Sequence, residues 1–239
     1  MRQSPIRVAV KVKSANMTTY YIRAMELRDI PQVSQIERKA FPPPWPASNF
    51  KRELTANSLT HYLVAYEEMP EPTEPAAEVQ AVNNSSPPKS RLEALRFGLR
   101  RLFGGRGRPA VPSQFILGFA GLWFMVDEAH LANIAVREDY RHQGIGERLL
   151  ISAIELAIEH EERFFTLEVR GSNKIAQALY RKYGLIEVGT RRGYYIDNKE
   201  DAVIMTAEGI TSALYEKRFQ SLKQAHAQKW GISDSSFTS

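Results

Sequence analysis

The sequence predicts a single mixed α/β domain, and three observations carry that prediction. Segments of strand-like alternation are interleaved with segments whose apolar residues recur at helical spacing. Composition is ordinary for a globular chain, with 43% hydrophobic and 25% charged residues among 239, which excludes collagen-like, coiled-coil and wholly disordered classes. One stretch, 67–114, breaks the alternation and differs in composition from everything around it.

Taken in order, Tyr20 to Ala24 reads as a strand. Asp29 is placed to cap a helix beginning near Pro31, with Val33, Ile36 and Ala40 on one face. Phe41 to Pro46 (FPPPWP) must be a stiff, non-helical loop, because proline fixes φ and removes amide donors. Ser48 to Ala56 follows as a short helix and Tyr62 to Tyr66 as a strand. Beyond the interruption, Phe115 to Phe124 and Ala129 to Val136 read as two strands about a turn at Val126, Asp127 and Glu128. A long helix spans Gly144 to Glu161, its buried face carrying Leu149, Leu150, Ala153, Ile154, Ala157 and Ile158. Strand Phe164 to Val169, helix Lys174 to Tyr183, and strands Leu185 to Thr190 and Ala202 to Thr206 complete the unit; Gly209 to Trp230 reads as a C-terminal helix.

Formal net charge is +5, but its location matters more than its size. Residues 1–19 carry +4 through Arg2, Arg7, Lys11 and Lys13, and read as a basic N-terminal extension. Within 67–114, the part from Glu67 to Pro88 holds five Glu and no base, whereas Lys89 to Arg108 holds seven bases against Glu93. The acidic, proline-rich part has the composition of a segment too poor in large apolar residues to fold. After it, Leu92, Leu95, Leu99 and Leu102 recur at helical spacing among arginines. This predicts a disordered insertion bearing one basic amphipathic helix, with the domain proper at 20–207 and a C-terminal helix and tail at 208–239. The functional reading of 89–108 is a contact with anionic lipid or ribosomal RNA; the bland one is a solvated helix whose leucines pack on the parent domain.

There is no cysteine, so disulfides, thiolate metal sites and any covalent cysteinyl intermediate are excluded. The longest apolar run, Phe115 to Val126, falls short of the roughly 20 residues that span a bilayer. The N-terminal residues show no clean apolar core of a signal peptide, and a cytoplasmic location is expected. The five histidines, His61, His130, His142, His160 and His226, show no metal-ligand spacing, and no metal site is expected.

The densest chemistry lies in Asn133 to Leu150. A strand ends at Val136, and Arg141-His142-Gln143-Gly144-Ile145-Gly146 opens the long helix. Free N–H groups and the positive end of a helix dipole form an anion cradle there. The spacing matches neither the nucleoside-triphosphate loop nor the dinucleotide fingerprint.

Arg141-x-x-Gly144-x-Gly146, following Asn133-Ile134-Ala135-Val136, resembles the pyrophosphate-binding motif of the GNAT acetyltransferase superfamily. Three further stretches resemble the bacterial ribosomal-protein-alanine N-acetyltransferases and their N-terminal acetyltransferase relatives: Leu167 to Asn173 (LEVRGSN), Ala178-Leu179-Tyr180, and Arg191 to Tyr195 with Glu200 to Met205. The resemblance covers about Tyr20 to Ala207, apart from the insertion. It implies a mixed sheet, splayed near its middle, with helices on both faces. It also implies acetyl-CoA as donor, and as acceptor the α-amine of a protein, most plausibly a small-subunit ribosomal protein that starts with alanine.

By the same resemblance, Glu168 is the general base acting through water; alone it reads equally as a surface carboxylate paired with Arg170, which shares its face. Tyr180 supplies a proton to the departing thiolate; alone it is a helix tyrosine packed on the sheet. Ile134, Ala135 and Val136 offer backbone N–H groups to the acyl oxygen, Arg141 to Gly146 hold the pyrophosphate, and His142 is solvent-exposed with some attraction for phosphate. Asn173 contacts CoA or caps its helix, or both. Tyr194 and Tyr195, with Phe41 and Trp45, match elements that close over the first residues of a peptide, or merely cap the end of the sheet. Direct transfer in a ternary complex suits a chain without cysteine. Acetylation of lysine side chains or small amines, and a CoA-binding tethering module, are the rival readings; sequence-specific nucleic-acid binding is not expected.

Overall fold

The computed structural model describes residues 7–11, 19–41, 43, 46–56, 58–69, 114–231 and 233–234, with backbone alone at 7–11 and 233–234. The chain divides into two compact units, 1–68 with 115–239, and 69–114; the account below is of the first. Trp45 and the basic helix expected from Arg91 to Phe103, within 89–108, lie outside the described residues.

Among the described residues nine strands form one sheet: β1 (Arg7–Lys11), β2 (Tyr20–Ala24), β3 (Thr60–Glu68), β4 (Gln114–Met125), β5 (Glu128–Val136), β6 (Phe164–Arg170), β7 (Ile186–Tyr195), β8 (Glu200–Glu208) and β9 (Ser233–Asp234). Their spatial order is β7-β8-β6-β5-β4-β3-β2-β1-β9. β5 and β6 run parallel, while β1–β2, β2–β3, β4–β5, β6–β8 and β7–β8 are antiparallel. The α-helices described beside the sheet are α1 (Ile30–Ala40), α2 (Ala47–Ala56), α3 (Ile145–Glu159), α4 (Lys174–Lys182) and α5 (Ala213–Trp230).

Strand alternation sorts the core into two layers. Tyr62, Val64 and Tyr66 of β3 pack with Val33 and Ile36 of α1 and Phe50 of α2, whereas Leu63 and Ala65 join the larger cluster under α3. Helices therefore cover both faces. α3 is buried on more than the one face that its periodicity predicts, including Ile151 and the 2%-exposed Arg148, because α5 lies on its outer side and contributes Phe219, Leu222 and Trp230 to the same cluster.

Three expectations need correction. The basic segment 1–19 is not wholly an extension, since Arg7 to Val10 pair with Arg23 to Tyr20 and lengthen the sheet. β3 runs on through Glu67 and Glu68, two residues into the stretch read as insertion, and Tyr140 donates to the Glu67 carboxylate at 3.0 Å. Asp29 precedes α1 but makes no side-chain cap; both of its oxygens are taken by Arg23, at 2.6 and 2.9 Å, and one also accepts from the Glu26 N–H. A bidentate guanidinium outcompetes a single helix amide for a buried carboxylate.

Candidate active site

The site begins with a defect in the sheet. Gly121 faces Asn133 and Leu122 faces Leu131, so Ala132 is bulged out of the β4–β5 ladder. Parallel pairing of β5 with β6 runs only from Glu128 opposite Phe164 to Leu131 opposite Leu167. Beyond those residues the two strands part, and a cleft of about 260 Å³ opens between them. Ala132, Asn133 and Ile134 form one wall and Leu167 to Arg170 the other.

Each remaining side comes from a different element. Asn173 and Tyr180 of the α4 region, Tyr194 and Tyr195 of β7, and Ala40 and Phe41 at the end of α1 complete the lining. The sequence-predicted residues Ile134, Phe41, Glu168, Asn173, Tyr180, Tyr194 and Tyr195 thus converge on one cavity. Asn173 accepts from the Ala176 N–H at 3.1 Å, so its capping role is realised at the cleft's rim.

Glu168 is the central carboxylate, and its side chain is only 6% exposed. His130 Nε2 lies 3.0 Å from its Oε2, and Arg191 Nε lies 2.9 Å from its Oε1. The hydrogen bond from His130, aided by the charge of Arg191, holds the carboxyl below its usual range despite the opposing effect of burial. The alternative partner, Arg170, is engaged elsewhere. It binds both oxygens of Asp197 at 3.0 and 2.9 Å and Glu200 at 3.2 Å, and lies 3.9 Å over the Tyr195 ring. Glu200, held near 2 chiefly by its bonds to Ser172, accepts the Ser172 N–H at 2.7 Å. Arg170 therefore ties the β7–β8 hairpin, and with it Tyr195, to the end of β6.

Tyr180 is 6% exposed, and burial, reinforced by Tyr195, pushes its phenol well above the ordinary value. Burial likewise pushes Tyr195 up to about 12, against the pull of Arg170. Both phenols stay protonated throughout the neutral range and are donors there.

The glycine-rich loop fits an anion. Gly144 stands at the N-cap of α3 with φ +78, outside the range that side-chain-bearing residues favour, and the first turn of α3 follows with its amides unpaired within the helix. Arg141 and His142 are exposed, and Gln143 Nε2 bonds the Asp139 carbonyl at 3.3 Å. Val136 and Arg141 also border a smaller cavity of about 70 Å³, together with Lys39 and Arg137 and the carboxylates Glu138 and Asp139. These basic groups and helix amides suit the diphosphate of a CoA thioester. Gly144 and Gly146 differ in what they permit: a Cβ on Gly146 would meet only Val136 Cγ2, at 3.5 Å, whereas one on Gly144 would collide with the Trp230 indole. Among the described residues no group of three or more His, Asp or Glu could hold a metal.

Sequence reasoning missed His130 and Arg191 as partners of Glu168. Their signal is a register: His130 stands opposite Thr166, two residues before Glu168, and only the parallel pairing of β5 with β6 reveals it.

A sheet parted in its middle beside a glycine-headed helix N-terminus defines a CoA-dependent acyltransferase fold. The chain belongs to the acetyltransferase (GNAT) family, whose profile matches residues 30–185. It is 34% identical over 184 residues to a putative ribosomal protein bS18-alanine N-acetyltransferase of Bacillus subtilis, covering 77% of this chain and 92% of that protein. The ribosomal protein bS18-alanine N-acetyltransferase of Escherichia coli is 45% identical over 89 residues, which span 36% of this chain and 60% of that one. The crystal structure of the Escherichia coli ribosomal-protein-S18-alanine N-acetyltransferase superposes with a TM-score of 0.54 at 26% identity, covering 80% of this chain and 94% of the other.

Proposed function

We propose that this enzyme transfers the acetyl group of acetyl-CoA to the N-terminal α-amine of a protein, with a ribosomal protein that begins with alanine as the acceptor. One observation carries the reading: a buried carboxylate and a buried, protonated tyrosine line the same cleft where β5 and β6 part. The names borne by the relatives in Bacillus subtilis and Escherichia coli support the choice of acceptor. No helix among the described residues is long and apolar enough to cross a membrane. We place the reaction in the cytoplasm, where acetyl-CoA and ribosomal proteins meet.

In this reading the loop from Arg141 to Gly146 and the first turn of α3 hold the diphosphate. The backbone groups of β5 beyond Leu131 that face β6 meet the acyl arm and polarise its carbonyl. The α-amine enters beneath Phe41, Tyr194 and Tyr195. Glu168, braced by His130 and Arg191, draws the ammonium and passes its proton to water. The neutral nitrogen then attacks the carbonyl carbon and gives its second proton to water, the C–S bond breaks, and Tyr180 gives its hydroxyl proton to the departing sulfur and regains one from water.

The test is acetyl transfer from acetyl-CoA to two hexapeptides, one beginning with a free alanine and lacking lysine, the other blocked at its N-terminus and bearing a free lysine. Acetylation of the first alone is expected; acetylation of the second alone would overturn the acceptor. The hairpin clamp yields a further expectation. Replacing Arg170 by leucine frees Asp197, Glu200 and the Tyr195 ring, so the peptide KM should rise about tenfold while kcat falls less. Steady-state kinetics with the alanine peptide at saturating acetyl-CoA measure both.

A further inference from the structure

The C-terminal helix α5 lies beyond the stretch that the family profile matches, yet its last turn reaches the glycine-rich loop. A Cβ at Gly144 would stand 2.6 Å from Trp230 Nε1 and Cε2 and 2.9 Å from Cδ1, so the indole fills the space where a side chain would otherwise be. The indole N–H is buried and without a hydrogen-bond partner, which makes the ring a packing surface at this point and not a polar anchor. Lys229 lies 5.0 Å over its face and the His226 ring is 6.3 Å away.

The rest of α5 is fastened to α3 at two points. Glu147, in the first turn of α3, lies 3.3 Å from His226 Nδ1, and it also receives Lys182 Nζ at 2.5 Å and the Tyr183 hydroxyl at 2.7 Å. One end of α5 is thus joined to both α3 and the end of α4. Two turns further along α3, Glu155 pairs with Lys223 at 2.5 Å. α5 cannot slide along α3 without breaking both contacts, and Trp230 is carried with it.

We propose that Trp230 is a positioning residue for acetyl-CoA: its indole props the Gly144 backbone in its left-handed conformation and so fixes the amides at the head of α3 that receive the diphosphate. The proposal rests on the reading that this loop holds CoA. It explains why Gly144 must be glycine on two counts, its φ of +78 and the indole against it. It also assigns α5 a part in cofactor affinity and none in the chemistry, since neither Trp230 nor His226 lines the cleft of Glu168 and Tyr180.

The experiment uses the full chain with Trp230→Ala and Trp230→Phe. CoA affinity is read by titration calorimetry, and kcat and the KM of each substrate by steady-state assay. Trp230→Ala is expected to weaken CoA binding and raise the KM for acetyl-CoA about tenfold, with kcat and the peptide KM held within about twofold. Trp230→Phe, which restores a flat ring, should recover most of the affinity. In the parent protein, added CoA should also change the tryptophan emission, and Trp230→Phe should lose that change. If CoA binds a folded Trp230→Ala protein as tightly as the parent, the positioning role is overturned. It is equally overturned if Trp230→Phe, folded, loses affinity for peptide and CoA alike. Failure of the parent itself to bind CoA would instead overturn the reading of the loop, and this proposal with it.

Discussion

Replacing Glu168 by glutamine should lower kcat by about 10² to 10³-fold, within the span that a positioned acid or base contributes. The loss follows from the geometry of its partners. His130 and Arg191 present N–H groups at 3.0 and 2.9 Å, and a glutamine must turn its NH2 toward one of them. Against Arg191 that sets donor on donor, and against His130 it requires the other ring tautomer, in a site where the side chain is 6% exposed; either way the charge that attracts an ammonium is lost. The pH dependence adds a second readout. A free α-amine has a pKa of about 8, while the Glu168 carboxyl is held below its ordinary range, so proton transfer from ammonium to carboxylate is uphill. In the proposed reaction Glu168 is accordingly a transient acceptor that works through water, and the fraction of neutral amine governs the rate. In the parent enzyme kcat/KM should rise with pH up to about 8, with no acid limb from Glu168 near neutrality, because a carboxylate with a depressed pKa remains ionised there. Glutamine should lower the whole profile and leave the position of that limb unmoved. A variant that keeps kcat within about threefold of the parent would remove Glu168 from the mechanism.

Tyr180→Phe should cost about 10²-fold in kcat with little change in melting temperature. Tyr180 is buried on the helix that faces the cleft, and phenylalanine keeps its ring while deleting the one group able to give up a proton. Burial raises the phenol far enough that it stays protonated through the assay range, so the profile should keep its shape and only lose height. Thermal unfolding followed alongside kcat separates lost chemistry from lost packing. A fall in melting temperature matching the fall in activity would instead assign Tyr180 to the core.

Much of this arrangement can be read from local pattern. The strand and helix alternation, the long helix after the glycines, and the convergence of Glu168, Asn173, Tyr180 and Tyr195 depend on short motifs whose order along the chain is kept in space. What cannot be read is who pairs with whom across strands. Arg170 shares a face with Glu168 and would be its natural partner, but Asp197 and Glu200 on the returning hairpin claim it first. His130 and Arg191 take its place through registers that only the assembled sheet sets. The same holds for β1, whose five residues acquire a strand's identity from β2 and β9. Likewise Trp230, 86 positions after Gly144 in sequence, reaches the loop only because α5 folds back along α3.

The parting of β5 from β6 has one more consequence. A sheet normally has its unpaired backbone groups at its two outer margins, where any passing strand can add to them. Here β7 and β9 occupy those margins, and a third rim runs through the interior, along β5 beyond Leu131. Its carbonyls and amides face a cleft only about 260 Å³ in volume, too small for a folded partner but open to thin, extended chains that carry amides of their own. In the proposed reaction, selection by this rim is a matter of thickness and hydrogen-bond spacing. A ligand exchanges bound water for main-chain contacts, each worth about 0.5 to 1.5 kcal/mol, and a chain without amides forfeits them all.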